Sequence, residues 1–238
     1  MTADDARAIE TADDARAIET ADGERAVETD GDAPKSAAGV VPSVDRPIDL
    51  AAYDAVVYDL DGTLVELAVD WGAVAESVLD VYAEHAMIPP TEELWGLLEA
   101  AGEFGIRDPV EDAIAVHERA GARDSVLLPL GGRLIEAVEE IDGARNAPPA
   151  GVCSLNCEEA CRVAVETHGL GGALDPDAIV GRDTVDTHKP DPESLLAAVE
   201  RLGAEPAHAL FVGDSRRDAV AAERAGVPFA WAADLIDR

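Results

Sequence analysis

The sequence predicts an α/β fold, a doubly wound parallel sheet with a small helical cap inserted after the first strand. Three observations predict it. Short apolar runs recur at 54–60, 150–155, 178–181, 208–213 and 228–231. Stretches with helical periodicity separate the later runs, the alternation that builds parallel sheets. Several runs also end in Asp, Ser or Gly, and ligands of open α/β sheets sit outside the carboxyl ends of the strands.

The elements follow in chain order. Thr2–Glu10, Thr11–Glu19 and Thr20–Glu28 are three copies of one nine-residue unit, the third diverged. Nine residues make two and a half helical turns, so Ile9, Ile18 and Val27 would alternate between sides and form no continuous apolar stripe. A Gly-, Pro- and Asp-rich stretch follows, and residues 1–48 read as a solvated, largely disordered acidic tail with transient helix. A docking role for the repeats is the alternative.

Ala55–Tyr58 then reads as a buried strand, ending in Asp59-Leu60-Asp61-Gly62-Thr63-Leu64. Residues 70–87, 91–104 and 108–121 carry helical patterns with little strand character between them. This helical insertion, residues 67–127, lies directly after the Asp-x-Asp turn, where a cover over a site is useful; a packing subdomain is the other reading. A helix at 131–141 returns the chain to the sheet. The α/β core accordingly spans 49–66 and 128–238. Within it, Leu195, Leu196, Val199 and Leu202 share one face of a helix at 192–202, with Asp191 as its N-cap and Gly203 past its end. Residues 215–225 form the next helix and stop at Gly226.

Composition narrows the function. The 238 residues include 50 acidic and 18 basic side chains, a net charge of −32. Residues 1–50 account for −8, leaving −24 on the remainder. Such a surface repels nucleic acid and anionic membranes, so neither is expected as a partner. Lys35 and Lys189 are the only lysines, and aromatic residues make up 4%. Acidic, lysine-poor chains resemble those of salt-accumulating halophiles, in which concentrated cations screen self-repulsion. Three cysteines argue against a disulfide framework and for a reducing, cytoplasmic setting. Cys157 and Cys161 share a helical stripe with Ala164, Val165 and His168, so burial explains them better than a metal site. No stretch approaches the roughly 20 apolar residues of a membrane span, and the N-terminus lacks a secretory pattern.

Two aspartates at i and i+2 can hold a hard cation, and one can attack an electrophile. With 27 aspartates in the chain, that pair alone carries little. Three further strand ends add to it. Gly151-Val152-Cys153 leads into Ser154, a hydroxyl donor. Lys189 lies in Thr187-His188-Lys189-Pro190-Asp191-Pro192, the one lysine in a region that otherwise uses arginine. Ala209–Val212 leads into Gly213-Asp214-Ser215, with Asp218 four residues beyond Asp214.

In that order the four segments resemble the motifs of the haloacid dehalogenase-like hydrolase superfamily, and Gly151–Ala230 resembles its phosphoglycolate-phosphatase-like branch. The resemblance covers 54–65 and 130–231, weakens over the insertion and is absent from the tail. It implies Asp59 as the nucleophile that forms an aspartyl-phosphate and Asp61 as the acid and base. Asp59, Asp214 and the Asp61 backbone carbonyl would hold Mg²⁺. Ser154, Lys189 and Thr63 would bind the transferring phosphoryl group, and Asp218 would orient Lys189 or a metal-bound water. Dehalogenases of the superfamily typically lack a carboxylate at the position of Asp61, so haloacid chemistry is not expected. The implied activity is hydrolysis of small phosphate monoesters, phosphoglycolate or a sugar phosphate. A phosphomutase is the alternative, and a non-catalytic binding module a more distant one. Asn156, one residue removed from where many relatives carry an amide, is expected to cap the next helix. Substrate choice is expected to reside in the insertion. Of its only arginines, Arg107, Arg119 and Arg123, one could meet an anionic group of the substrate, while intrahelical or surface pairing with glutamates is the favoured reading for each. Trp71 and Trp95 are expected to pack its helices, and His188 to be incidental. Oligomeric state does not follow from these residues.

Overall fold

The computed structural model describes residues 48–140 and 147–236. The nine-residue repeats and nearly all of the expected tail lie outside the described residues. Strand β1 (Ala55–Tyr58) is flanked by β4 (Ala150–Cys153) and β6 (Ala209–Gly213), with β5 (Ile179–Val180) and β7 (Phe229–Trp231) at the edges. The order is β5-β4-β1-β6-β7, and every neighbouring pair is parallel. All five apolar runs read from the sequence are therefore strands of one sheet.

Successive side chains on a strand point to opposite faces, and both faces here are covered, as parallel sheets require. Val56, Tyr58, Val152, Leu210 and Val212 join the core on one side, under α5 (Glu158–Thr167) and α4 (Pro129–Glu140). Ala55, Val57, Cys153 and Phe211 join the core on the other, under α6 (Glu193–Arg201) and α7 (Arg216–Ala225). A short α8 (Ala232–Ile236) follows β7.

Between β1 and β4 the chain makes a two-stranded antiparallel ribbon of β2 (Val65–Glu66) and β3 (Val126–Leu127), pairing Val65 with Leu127 and Glu66 with Val126. Three helices leave from this ribbon and return to it: α1 (Trp71–Glu84), α2 (Leu94–Phe104) and α3 (Arg107–Arg123). They bury a cluster of their own around Val78, Tyr82, Leu98, Val110 and Ile114. Asp70 caps α1 by accepting from the amides of Gly72 and Ala73. The return into α4 is tight: a Cβ on Gly131 would lie 2.5 Å from the Leu64 carbonyl oxygen.

Helix boundaries differ from the sequence reading in two informative places. The residue flanking α6 is Pro192, although Asp191 still accepts from the Glu193 amide at 3.1 Å. Cys157, not Asn156, flanks α5 and makes no side-chain cap. The side chain that satisfies the Cys157 amide comes from another helix, Glu118 of α3, at 2.9 Å. An asparagine before a helix suggests a local cap, but here a carboxylate distant in sequence occupies the position.

Candidate active site

The cleft outside the carboxyl ends of β1, β4 and β6 receives side chains from each. β1 releases Asp59, whose amide still donates to the Val212 carbonyl at 2.8 Å, so the residue is held at the sheet margin. One carboxylate oxygen of Asp59, Oδ1, accepts from the Leu60 amide at 2.8 Å and forms an ion pair with Lys189 Nζ at 2.8 Å. Among the described residues its Oδ2 receives no hydrogen bond. Gly62 adopts φ +79, and a Cβ there would sit 2.3 Å from Asp214 Oδ2. Only glycine lets the turn after Asp61 lie against the aspartate that ends β6.

Lys189 is the hub. Its ammonium is 2% exposed and lies 2.6 Å from Asp218, 2.8 Å from Asp59 and 3.1 Å from the Cys153 carbonyl. Burial would lower its pKa, but the two carboxylates outweigh that and raise it above the ordinary lysine value. Asp218 is fully buried and committed on both oxygens: Oδ1 to Lys189, Oδ2 to the Ser215 amide and hydroxyl at 3.0 and 2.6 Å. Ser215 in turn caps α7, accepting from the Asp218 amide, a complete capping box. A helix-start motif thus fixes the carboxylate that fixes the lysine.

Asp59, Asp214 and Asp218 bring carboxylate oxygens within 4.8 Å of one another. An all-oxygen, anionic donor set fits a hard divalent cation such as Mg²⁺. Asp218 already accepts on both oxygens, so Asp59 and exposed Asp214 are the carboxylates better placed to reach such an ion. Burial pushes the Asp59 carboxyl up, against the opposing pull of Lys189. Asp61 is pushed up to about 6, mainly by burial, although its Oδ1 accepts from the Leu67 amide at 2.8 Å. Ser154 hydrogen-bonds through its hydroxyl to Asn156 Oδ1 at 3.0 Å. Thr63 Oγ1 is buried and has no hydrogen-bond partner among the described residues. A buried hydroxyl without a partner is costly, and a phosphoryl oxygen would satisfy it.

Of the seven residues singled out in the sequence, Asp59, Asp61, Thr63, Ser154 and Asp214 lie just past the ends of β1, β4 and β6, Lys189 lies between β5 and α6, and Asp218 lies in the first turn of α7. Trp71 and Trp95 pack the insertion's helices as expected: Trp95 lies against its apolar cluster and the two ring centroids are 6.2 Å apart, and both also line the same cleft of about 380 Å³ as Asp59 and Asp61. Arg107 and Arg119 pair with Glu111 and Glu159 at 3.7 and 3.1 Å, and Arg123 donates to the Arg119 carbonyl. None of the three lines that cleft; Arg216 and Arg217 do. His188 is half-buried with its ring 6.4 Å from that of Trp95. The signal that could have found Arg216 and Arg217 is their place inside the segment from Gly213 to Asp218.

A second group escaped the sequence reading. Arg182, fully buried after β5, donates to both oxygens of buried Glu118 at 2.7 and 3.2 Å, to Glu111 at 2.8 Å and to the Leu155 carbonyl at 2.6 Å. Glu118 also meets the Asn156 amide group at 3.4 Å. This network joins α3 to the loop that carries Ser154. A larger hollow of about 610 Å³ is lined by Asp108, Glu111, Asp112, Asp183 and Asp186, with Arg107. Its carboxylates repel a phosphorylated ligand, so the smaller cleft is the better candidate.

Comparison with known proteins agrees with this geometry. The family model for "Haloacid dehalogenase-like hydrolase" matches residues 127–232. The phosphoglycolate phosphatase of Rhodospirillum rubrum is 33% identical over 193 residues, covering 73% of this chain and 77% of that protein. That of Salmonella choleraesuis is 30% identical over 201 residues, covering 73% and 78%. The solved structure of a hydrolase from Pseudomonas syringae shares the fold, with TM-score 0.53 and 20% identity over 74% of this chain and 83% of that one. Fold, site and relatives together define an enzyme of the α/β phosphoric monoester hydrolase class. Within that class, the chain belongs to the haloacid dehalogenase-like hydrolases.

Proposed function

We propose that this phosphatase hydrolyses small phosphorylated metabolites through an aspartyl-phosphate on Asp59, in a Mg²⁺-dependent reaction in the cytoplasm. The observation that carries the reading is the buried Lys189 ammonium, held between Asp59 and Asp218. Lys189 neutralises charge on the incoming phosphoryl oxygens, and Thr63 and Ser154 donate to them. Asp59 Oδ2, free of donors, attacks phosphorus. Asp61, with a pKa near 6, holds a proton for the departing alkoxide and then accepts one from the attacking water. A Mg²⁺ held by Asp59 and Asp214, with the Asp61 carbonyl, would supply the charge that keeps Asp59 ionised and draws the phosphate in.

The relatives' names favour phosphoglycolate as substrate; a sugar phosphate is the other reading. The acidic surface disfavours nucleic acid and anionic membranes as partners. No described helix is long and apolar enough to cross a membrane, and Cys153, Cys157 and Cys161 are free and buried, consistent with a reducing compartment. The charge also favours an enzyme adapted to concentrated salt.

The test is phosphate release from a panel of phosphomonoesters in molar KCl, with Mg²⁺ or EDTA, comparing wild type with Asp59→Asn. Mg²⁺-dependent release that disappears in the variant is expected. Release unaffected by the substitution, or none from wild type with a folded circular dichroism spectrum, overturns the reading. Transfer of phosphate to a sugar without release would identify a mutase.

A further inference from the structure

Ten arginines lie among the described residues, and eight of them donate to a carboxylate or carbonyl oxygen. The two exceptions are neighbours, Arg216 and Arg217. In a chain of net charge −32, carboxylates are in excess, so two adjacent guanidinium groups without one are conspicuous. Both are exposed, and both line the cleft that contains Asp59 and Asp61.

Their place in the fold is unfavourable for stability. They are the first two residues of α7, directly after its Ser215 cap. Cations at a helix N-terminus oppose the helix dipole. Arg217 is also oriented: its guanidinium carbon lies 5.6 Å from the centroid of the Trp95 ring. Stacking on an aromatic face leaves the edges of the planar group free to donate two parallel hydrogen bonds.

We propose that Arg217, braced on Trp95 with Arg216 beside it, forms a second anion-binding subsite that selects phosphate monoesters carrying a carboxylate. This rests on the phosphatase reading above and deepens it. The phosphoryl group occupies the pocket of Lys189, Thr63 and Ser154, and the carboxylate of the leaving group reaches the Arg217 fork. Asp59 and Ser154 line the same cleft of about 380 Å³ as Arg216 and Arg217, room for a compact ligand. Specificity then resides in α7 of the core and one tryptophan of the insertion, rather than in Arg107, Arg119 or Arg123.

A matched pair of substrates tests it: 2-phosphoglycolate and 2-hydroxyethyl phosphate, which replaces the carboxylate with a neutral hydroxymethyl group. In wild type, kcat/KM favours 2-phosphoglycolate. Arg217→Gln lowers that ratio roughly 10- to 100-fold, the worth of a charge-assisted bidentate contact, chiefly through KM. An unchanged ratio in Arg217→Gln, or a wild type indifferent to the pair, overturns the proposal. Binding of each ester followed by tryptophan fluorescence in EDTA reads the subsite without turnover. Binding that discriminates the pair and depends on Arg217, in a protein that hydrolyses neither ester, keeps the subsite and sinks the phosphatase reading. Turnover of both esters without an Arg217-dependent preference does the reverse.

Discussion

Lys189 and Asp61 show what a single residue discloses in sequence and what it withholds. Lys189 stood out because arginine is the basic residue everywhere else beyond residue 47, and its burial between two carboxylates explains why a compact ammonium is kept there. The reverse holds for Arg216 and Arg217, two arginines among many, whose meaning depends on having no carboxylate partner among the described residues. Asp61 was legible as a carboxylate, but its altered acidity comes from tertiary burial. Its folded pKa of about 6 exceeds the ordinary aspartate value of 3.8, so the native protein holds this proton more tightly than the unfolded chain does. Between about pH 4 and 6 the folded state therefore binds more protons, and this group's contribution to stability falls as pH rises through that window. The raised Lys189 stays protonated throughout it and adds no slope. In EDTA, a plot of Tm against pH from 4 to 7 should be flatter for Asp61→Asn than for wild type. Parallel plots would show that burial at Asp61 does not perturb its proton.

At the scale of elements, the sheet was readable because parallel strands covered on both faces are near-continuous apolar runs. The attachment of α3 was not, since it depends on ion pairs between residues far apart in sequence. Glu118 and Arg182 are 64 residues apart, and nothing periodic links them. The pair is fully buried, and Glu118 also satisfies the first turn of α5. Removing one partner of such a pair strands the other charge without water, typically at 3–5 kcal/mol. Glu118→Leu should lower the unfolding free energy in urea by about that amount, whereas Glu118→Leu with Arg182→Met should recover part of it. A single variant within about 1 kcal/mol of wild type would mean that α3 is held by apolar packing alone.

For the whole molecule, the balance of charge sets the conditions under which the fold persists. Net charge far from zero destabilises a compact state through self-repulsion, and about 1 M salt shortens the Debye length to roughly 3 Å. Tm should therefore rise from 0.1 to 1 M KCl and then level off; a flat or falling curve would remove the electrostatic argument. Composition made that expectation legible, yet it gave no sign of how the few basic residues are distributed. Lys189 is the only lysine among the described residues, and it is 2% exposed. Amine-directed reagents, whether acylating dyes, cross-linkers or activated resins, consequently find no accessible lysine on this part of the surface. A label attached through Lys35 would leave the cleft chemically untouched.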